Sequence, residues 1–140
     1  PQGDVLEGHR PRIRVGLRPV GQGARADNVP AITPAGRVHM GAEDLLRYLQ
    51  AHLTMDEAFL SAETWARLHW AEGPGSYALG WIVADKVILH DGSNTFWYAL
   101  AAVDYDRNIA GFVAVNTGQL DDVEAPVIAA LRRALEGVAD

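Results

Sequence analysis

The chain has 140 residues, which is enough for one domain with a substantial hydrophobic core. Hydrophobic residues make up 49% of it and charged residues 21%, a globular balance that argues against disorder. The net charge of −6 without a basic block argues against nucleic-acid binding as the main activity, and no apolar run is long enough to predict a membrane span.

The opening segment, residues 1–33, is rich in Gly, Pro and Arg and is interpreted as a loop-rich crossover. Residues 12–15 alternate and predict a short strand, limited by Pro11 and Pro19. Because the chain begins with Pro1 and not with Met, we interpret Pro1 as a start within a longer parent protein. The absence of cysteine excludes disulfides and leaves the compartment open, with a periplasmic or secreted parent among the alternatives.

Residues 34–76 are predicted to form the helical part of the chain. A helix is expected over residues 42–53, because apolar residues recur there every three or four positions. Its apolar face consists of Leu45, Leu46, Leu49 and Leu53. A second helix is expected after Ser61, whose hydroxyl can cap it, and the Gly-Pro-Gly run at residues 73–75 should end this region.

Residues 77–118 contain short runs of β-branched and aromatic residues separated by turn residues, a pattern that predicts three or four antiparallel strands. Residues 85–86 are expected to close a hairpin, residues 90–94 to form a polar break, and residues 104–108 to form a loop. The run over residues 109–116 is apolar at both odd and even positions, so we expect both of its faces to be covered.

The last helix is placed within residues 121–137, beginning near Glu124 so that Pro126 falls in its first turn. Its predicted apolar stripe consists of Val127, Ile128, Leu131 and Leu135. The elements together predict an α+β fold, with this helix on one face of an antiparallel sheet and the helices of residues 34–76 on the other.

The segment His90-Asp91-Gly92-Ser93-Asn94 resembles the third motif of the serine β-lactamase and penicillin-binding-protein-like hydrolases, in their class C and esterase-like branch. In that family a Lys/His/Trp-x-Gly triplet lies on the strand that borders the active site. The resemblance covers most of the chain from about Pro30 onward. It includes residues 34–40, 43–49, 77–81 and 113–118. It implies a partial β-lactamase-like fold.

The resemblance also implies roles for this segment. His90 is expected to face the substrate and support the network around the general base, and the Ser93 N–H, just after Gly92, to form part of the oxyanion hole. Asp91 and Asn94 are expected to contact the substrate. From the residues alone, His90 also fits a surface histidine at a strand end, and Gly-Ser-Asn an ordinary turn. Many family members carry Lys at the position of His90, and a neutral imidazole anchors anions less well.

Two motifs of the family are missing from this sequence. No Ser-x-x-Lys occurs, since Val83 stands three residues before the single lysine, Lys86, and neither Tyr-x-Asn nor Tyr-x-Ser occurs. We therefore expect the C-terminal part of a hydrolase of amides, lactams or esters, whose nucleophile lies upstream.

The expected partner is a small-molecule substrate, with neither a cofactor nor a metal. The missing N-terminal segment or a second copy is expected to pair with the edge of residues 109–116. The alternative is a non-catalytic binding or interaction domain derived from the same fold.

Overall fold

The computed structural model describes residues 9–12, 16–19, 27–70, 76–94 and 96–137. The described elements are β1 (His9–Arg12), β2 (Gly16–Pro19), a 3-10 turn (Pro30–Ile32), α1 (Thr33–Gly36), α2 (Ala42–Thr54), α3 (Ala62–His69), β3 (Ile82–Ala84), β4 (Val87–Ser93), β5 (Tyr98–Asp104), β6 (Ile109–Val115) and α4 (Leu120–Gly137). This mixture of helices and antiparallel strands confirms the α+β class. None of the described helices is both long and apolar enough to cross a membrane.

The N-terminal strands differ from the expected one. β1 and β2 pair with each other as an antiparallel hairpin, with Arg12 opposite Gly16 and His9 opposite Pro19. Residues 13–15, most of the predicted strand, lie outside the described residues. Pro11 lies inside β1, where the sequence suggested a limit. A two-stranded ribbon consists only of edge strands, and edge strands are where proline is tolerated.

The helices of residues 34–76 begin and end close to where the sequence places them. α2 ends at Thr54, and Met55 follows in the left-handed conformation with φ 47°. Ser61 caps α3, because its Oγ accepts a hydrogen bond from the Thr64 N–H at 3.3 Å. The expected apolar face of α2 was wrong in one residue: Leu46 is 47% exposed, while Leu49 is buried. The Gly-Pro-Gly run at residues 73–75 lies outside the described residues.

Four antiparallel strands form the main sheet in the order β3-β4-β5-β6. The β3–β4 hairpin turns at Asp85, with φ 54°, as the sequence predicts. The β5–β6 turn has Asn108 at φ 53°, and Asp104 Oδ1 accepts the Arg107 N–H at 3.0 Å. The predicted break at residues 90–94 was wrong, because β4 continues to Ser93.

β4 continues through the polar segment because the segment pairs with β5. His90 lies opposite Ala101 on β5, and Ser93 lies opposite Tyr98, so the ladder of β4 with β5 runs through the polar segment. Asp and Gly have low intrinsic preference for strands, but a neighbouring strand that is already ordered outweighs that preference. The segment that carries the family resemblance is therefore held in an extended conformation.

α4 covers one face of the sheet. Its buried Val127 and Leu131 pack with Tyr98, Leu100 and Ala102 of β5. The helix also approaches β6 closely, because a Cβ built at Gly111 would lie 3.2 Å from Leu135 Cδ2. This packing confirms the predicted stripe.

The start of α4 differs from the prediction. The helix begins at Leu120 and not near Glu124, so Pro126 lies inside it and not in its first turn. A proline there removes one hydrogen bond, to the carbonyl of Asp122. Asp122 and Pro126 are both exposed, and solvent can satisfy the freed carbonyl near the helix start.

α2 covers the opposite face. A second core cluster consists of the buried residues Leu49, Trp81, Ile88 and Val103, with Leu45, Leu53 and Phe112 packed against them. β6 contributes Phe112 and Ala110 to this cluster and Val113 and Val115 to the one under α4. The expectation that both faces of this strand are covered is confirmed.

Candidate functional site

β4 distributes the third-motif residues over two faces of the sheet. Ile88 belongs to the cluster under α2 and Leu89 to the cluster under α4, so strand alternation places His90 on the α2 side. Asp91 and Ser93 lie on the α4 side. There burial and then the charge of Asp91 raise the pKa of Tyr98. The structure therefore separates His90 from the side chains of Asp91 and Ser93.

His90 lies beside a pocket on the α2 side. Its imidazole stands edge-on to the buried Trp81 ring, with 6.4 Å between ring centroids. The pocket has a volume of about 280 Å³. Its lining includes Leu45, Tyr48, Leu79, Trp81, His90 and Ala101. His90 itself remains exposed, so a molecule that enters the pocket from solvent can contact the imidazole.

The second half of β4 has a strand on only one side within the described residues. β3 pairs with Val87 to Leu89 and reaches no further, while β5 pairs with β4 up to Ser93. Gly92 adds space on the α2 face, since a Cβ built there would meet no atom within 4 Å. A substrate can therefore approach the backbone of this half-strand along its edge and over Gly92.

The direction of the backbone groups follows from the hydrogen-bond pattern. Lys86 O accepts the Tyr105 N–H at 2.9 Å, so the even-numbered residues of this strand direct their N–H and C=O groups toward β5. The odd-numbered residues direct theirs the other way. The Ser93 amide is therefore aimed at the edge opposite β5, where the family resemblance places an oxyanion donor. Its role stays a prediction.

Asn94 holds the turn that follows β4. Its Oδ1 accepts the backbone N–H groups of Phe96 at 3.2 Å and Trp97 at 3.0 Å. Its Nδ2 donates to Asp27 Oδ1 at 3.4 Å. The side chain thus fixes the chain just after Ser93, and its predicted contact with substrate stays a prediction.

Sequence reasoning missed Asp27. Its carboxylate accepts hydrogen bonds from the Asn28 N–H at 2.7 Å and from Arg37 Nε at 3.3 Å, and His39 Nε2 lies 3.4 Å away. Burial raises the pKa of this carboxyl, but the hydrogen bonds from Asn28, Arg37 and Asn94 outweigh it and lower the pKa overall. Asp27 therefore stays ionised and ties the segment before α2 to the end of β4.

Sequence reasoning also missed a hydrogen-bonded chain that begins at the buried His52. His52 Nδ1 and His69 Nε2 are 2.8 Å apart, and His69 Nδ1 lies 2.9 Å from the Tyr105 hydroxyl. These groups come from α2, α3 and the β5–β6 turn. Burial and the neighbouring His69 lower the pKa of His52 to about 4, while burial raises the pKa of Tyr105 to about 12. The spacing of the three residues in sequence gives no sign of this contact.

The described residues contain no group of three or more His, Cys, Asp or Glu side chains that could hold a metal ion. The polar side chains among the residues that line the pocket are the His90 imidazole and the Tyr48 phenol. They are suited to donating hydrogen bonds to a carbonyl oxygen.

Comparison with known proteins identifies the family. A family model described as Beta-lactamase matches residues 3–135 of the chain. No curated protein and no solved structure matches the chain. The matched range includes the whole main sheet, α2, α3 and nearly all of α4. With the third-motif segment on a strand that borders a pocket, this match shows that the chain belongs to the β-lactamase family of hydrolases.

Proposed function

We propose that this chain is the C-terminal part of a serine hydrolase that cleaves an amide, lactam or ester through an acyl-enzyme. The observation that carries the proposal is the second half of β4, which presents His90 beside a pocket and directs the Ser93 amide toward the edge opposite β5. Family membership supports the same reaction class. The chain would form one wall of the catalytic cleft.

The reaction needs a nucleophile, a base and donors for the oxyanion. A serine upstream of Pro1, with a lysine one helical turn later, would attack the substrate carbonyl and pass its proton to the leaving group. The Ser93 N–H would donate to the carbonyl oxygen as negative charge develops on it. Water would then attack the acyl carbonyl, releasing the acid and restoring the serine.

His90 would act at the edge of this site. A neutral imidazole can donate one hydrogen bond and accept another, but it holds a carboxylate less firmly than an ammonium group does. The site therefore favours a substrate recognised through a neutral carbonyl. His90 would orient that group and support the hydrogen bonds around the base.

Hydrolysis assays on the longer protein test the proposal. The protein that includes the residues upstream of Pro1 should hydrolyse nitrocefin or p-nitrophenyl acetate, and His90→Ala should lower kcat/KM at least tenfold while the fold is kept. Asp106→Ala, at an exposed turn residue, serves as the control and should leave the rate unchanged.

Two results would count against the proposal. One is an upstream sequence that lacks Ser-x-x-Lys together with a longer protein that hydrolyses neither substrate. That outcome favours a non-catalytic interaction domain. The other is unchanged turnover in His90→Ala, which would remove His90 from the site.

A further inference from the structure

The pocket beside His90 lies between α2 and the sheet. Tyr48 and Leu45 of α2 form one wall, while Leu79 and Trp81, which precede β3, form another. Trp81 is buried, whereas Leu79 is 62% exposed and Tyr48 is 41% exposed. The pocket thus has a fixed inner wall and an outer wall that a ligand could cover.

The size of the pocket suits one part of a small molecule. Its volume is about 280 Å³, larger than an engineered apolar cavity of about 150 Å³ that accepts benzene. It is slightly smaller than the roughly 300 Å³ at which sites for entire drug-sized ligands begin. A phenyl ring or a medium-length alkyl chain fits these limits.

The chemistry of the lining disfavours a charged occupant. Among the residues that the structure describes, no Asp, Glu, Lys or Arg lines the pocket. Burial raises the pKa of Tyr48, so its phenol is neutral over the physiological range. The net charge of −6 further disfavours an anion. His90 supplies a polar group that can bond a neutral carbonyl next to an apolar group.

We infer that this pocket binds the apolar acyl or aryl group of a neutral ester or amide, with its carbonyl beside His90. The assignment of that carbonyl to a reaction rests on the proposed function, whereas the binding itself does not. The corresponding substrates are neutral esters or amides with a phenyl or medium-length alkyl group.

Titration of the chain with unreactive primary amides tests this binding. The probes are acetamide, butyramide, hexanamide and phenylacetamide. Their binding is measured from the NMR shifts of the Trp81 indole N–H and the Ala101 amide. Affinity should rise about fourfold per added methylene until the pocket is filled. Hexanoate should bind more weakly than hexanamide, because no Lys or Arg of the described part of the chain lines the pocket.

A matched pair of leucine variants locates the site. Leu79→Ala should weaken hexanamide binding roughly threefold or more, because the side chain forms the outer wall. Leu46→Ala removes the same atoms from an exposed position of α2 that does not line the pocket, and binding should be unchanged. Both side chains are largely exposed, so neither change threatens the fold.

The inference is wrong if affinity does not depend on chain length, if hexanoate binds as well as hexanamide, or if the two leucine variants behave alike. These outcomes are independent of catalysis. Saturable amide binding combined with a longer protein that hydrolyses neither nitrocefin nor p-nitrophenyl acetate would leave the pocket assignment standing and defeat the proposed function. Hydrolysis by the longer protein without any amide binding would support the proposed function and defeat the pocket assignment.

Discussion

His52 lies 2% exposed among the rings of Tyr48, Trp65, His69 and Trp81, at centroid distances of 4.5 to 5.0 Å. Such surroundings favour the neutral imidazole, because a charged ring would lose its hydration without gaining a carboxylate partner. The hydrogen bond to His69 gives the neutral ring a polar partner. The hydrogen bond between His52 and His69 therefore links α2 to α3 as long as the His52 imidazole is neutral.

Acid should weaken the fold through this pair. The pKa of His52 is lowered from 6.5 to about 4, so below pH 6.5 the unfolded chain binds a proton that the folded chain does not. The free energy of unfolding should fall by about 3 kcal/mol as the pH drops from 6.5 to 4. Urea unfolding at several pH values, monitored by tryptophan fluorescence, measures this loss.

A comparison of two variants identifies the group responsible. His52→Gln should remove most of the pH dependence in this window, whereas His90→Gln, at an exposed histidine, should leave it unchanged. The same slope in the His52 variant and in the original chain would show that another group takes up the proton.

Among the elements, α4 packs buried apolar residues against the sheet. Leu131 is 4% exposed and packs against β5, and its Cδ1 would lie 3.6 Å from a Cβ at Gly111. Leu131→Ala should lower the free energy of unfolding by about 2–5 kcal/mol, the range for buried leucines that leave a cavity. Denaturant unfolding gives the value.

The neighbouring Arg132 provides the control for this helix. It is exposed, so Arg132→Ala should change stability by less than about 0.5 kcal/mol. A Leu131 variant as stable as the Arg132 variant would mean that the stripe does not support the sheet.

The elements that sequence patterns predicted well are those whose own residues determine them. The 3.6-residue period of α2 and the cap at Ser61 are local features, and both elements begin where those features place them. The elements predicted less well depend on distant partners. β4 continues through Asp91 and Gly92 only because β5 pairs with them.

Some residues of the candidate site could likewise be predicted from local sequence, whereas others depend on distant partners. His90 could be selected from sequence because it lies within a family motif. Asp27 could not, because its contact with Asn94 joins residues 67 positions apart. The pair of His52 and His69 likewise needs two helices to be packed together before it exists. Contacts of this kind leave no periodicity in the sequence.

At the scale of the whole molecule, β6 lies at one end of the main sheet. Within the described residues no strand pairs with its outer edge, and both of its faces are covered by apolar packing. Exposed edges with this character favour pairing with another chain. We expect the isolated chain to form a dimer along β6, measurable by light scattering during size-exclusion chromatography.

A proline on this edge tests the dimer. The ladder with β5 uses the odd-numbered residues of β6, so the Ala114 N–H is directed outward. Ala114→Pro should therefore disrupt pairing with another chain while sparing the sheet, and the variant should elute as a monomer with unchanged circular dichroism. A chain that is monomeric before any substitution would contradict this expectation.

In the proposed function, this chain forms one wall of an acyl-transfer site whose nucleophile lies upstream of Pro1. Mass spectrometry after labelling with a fluorophosphonate or a tagged penicillin measures this directly. The longer protein should carry one adduct, on an upstream serine followed three residues later by lysine, and the 140-residue chain should carry none. A specific adduct on Ser61, Ser76 or Ser93 of this chain would contradict the claim.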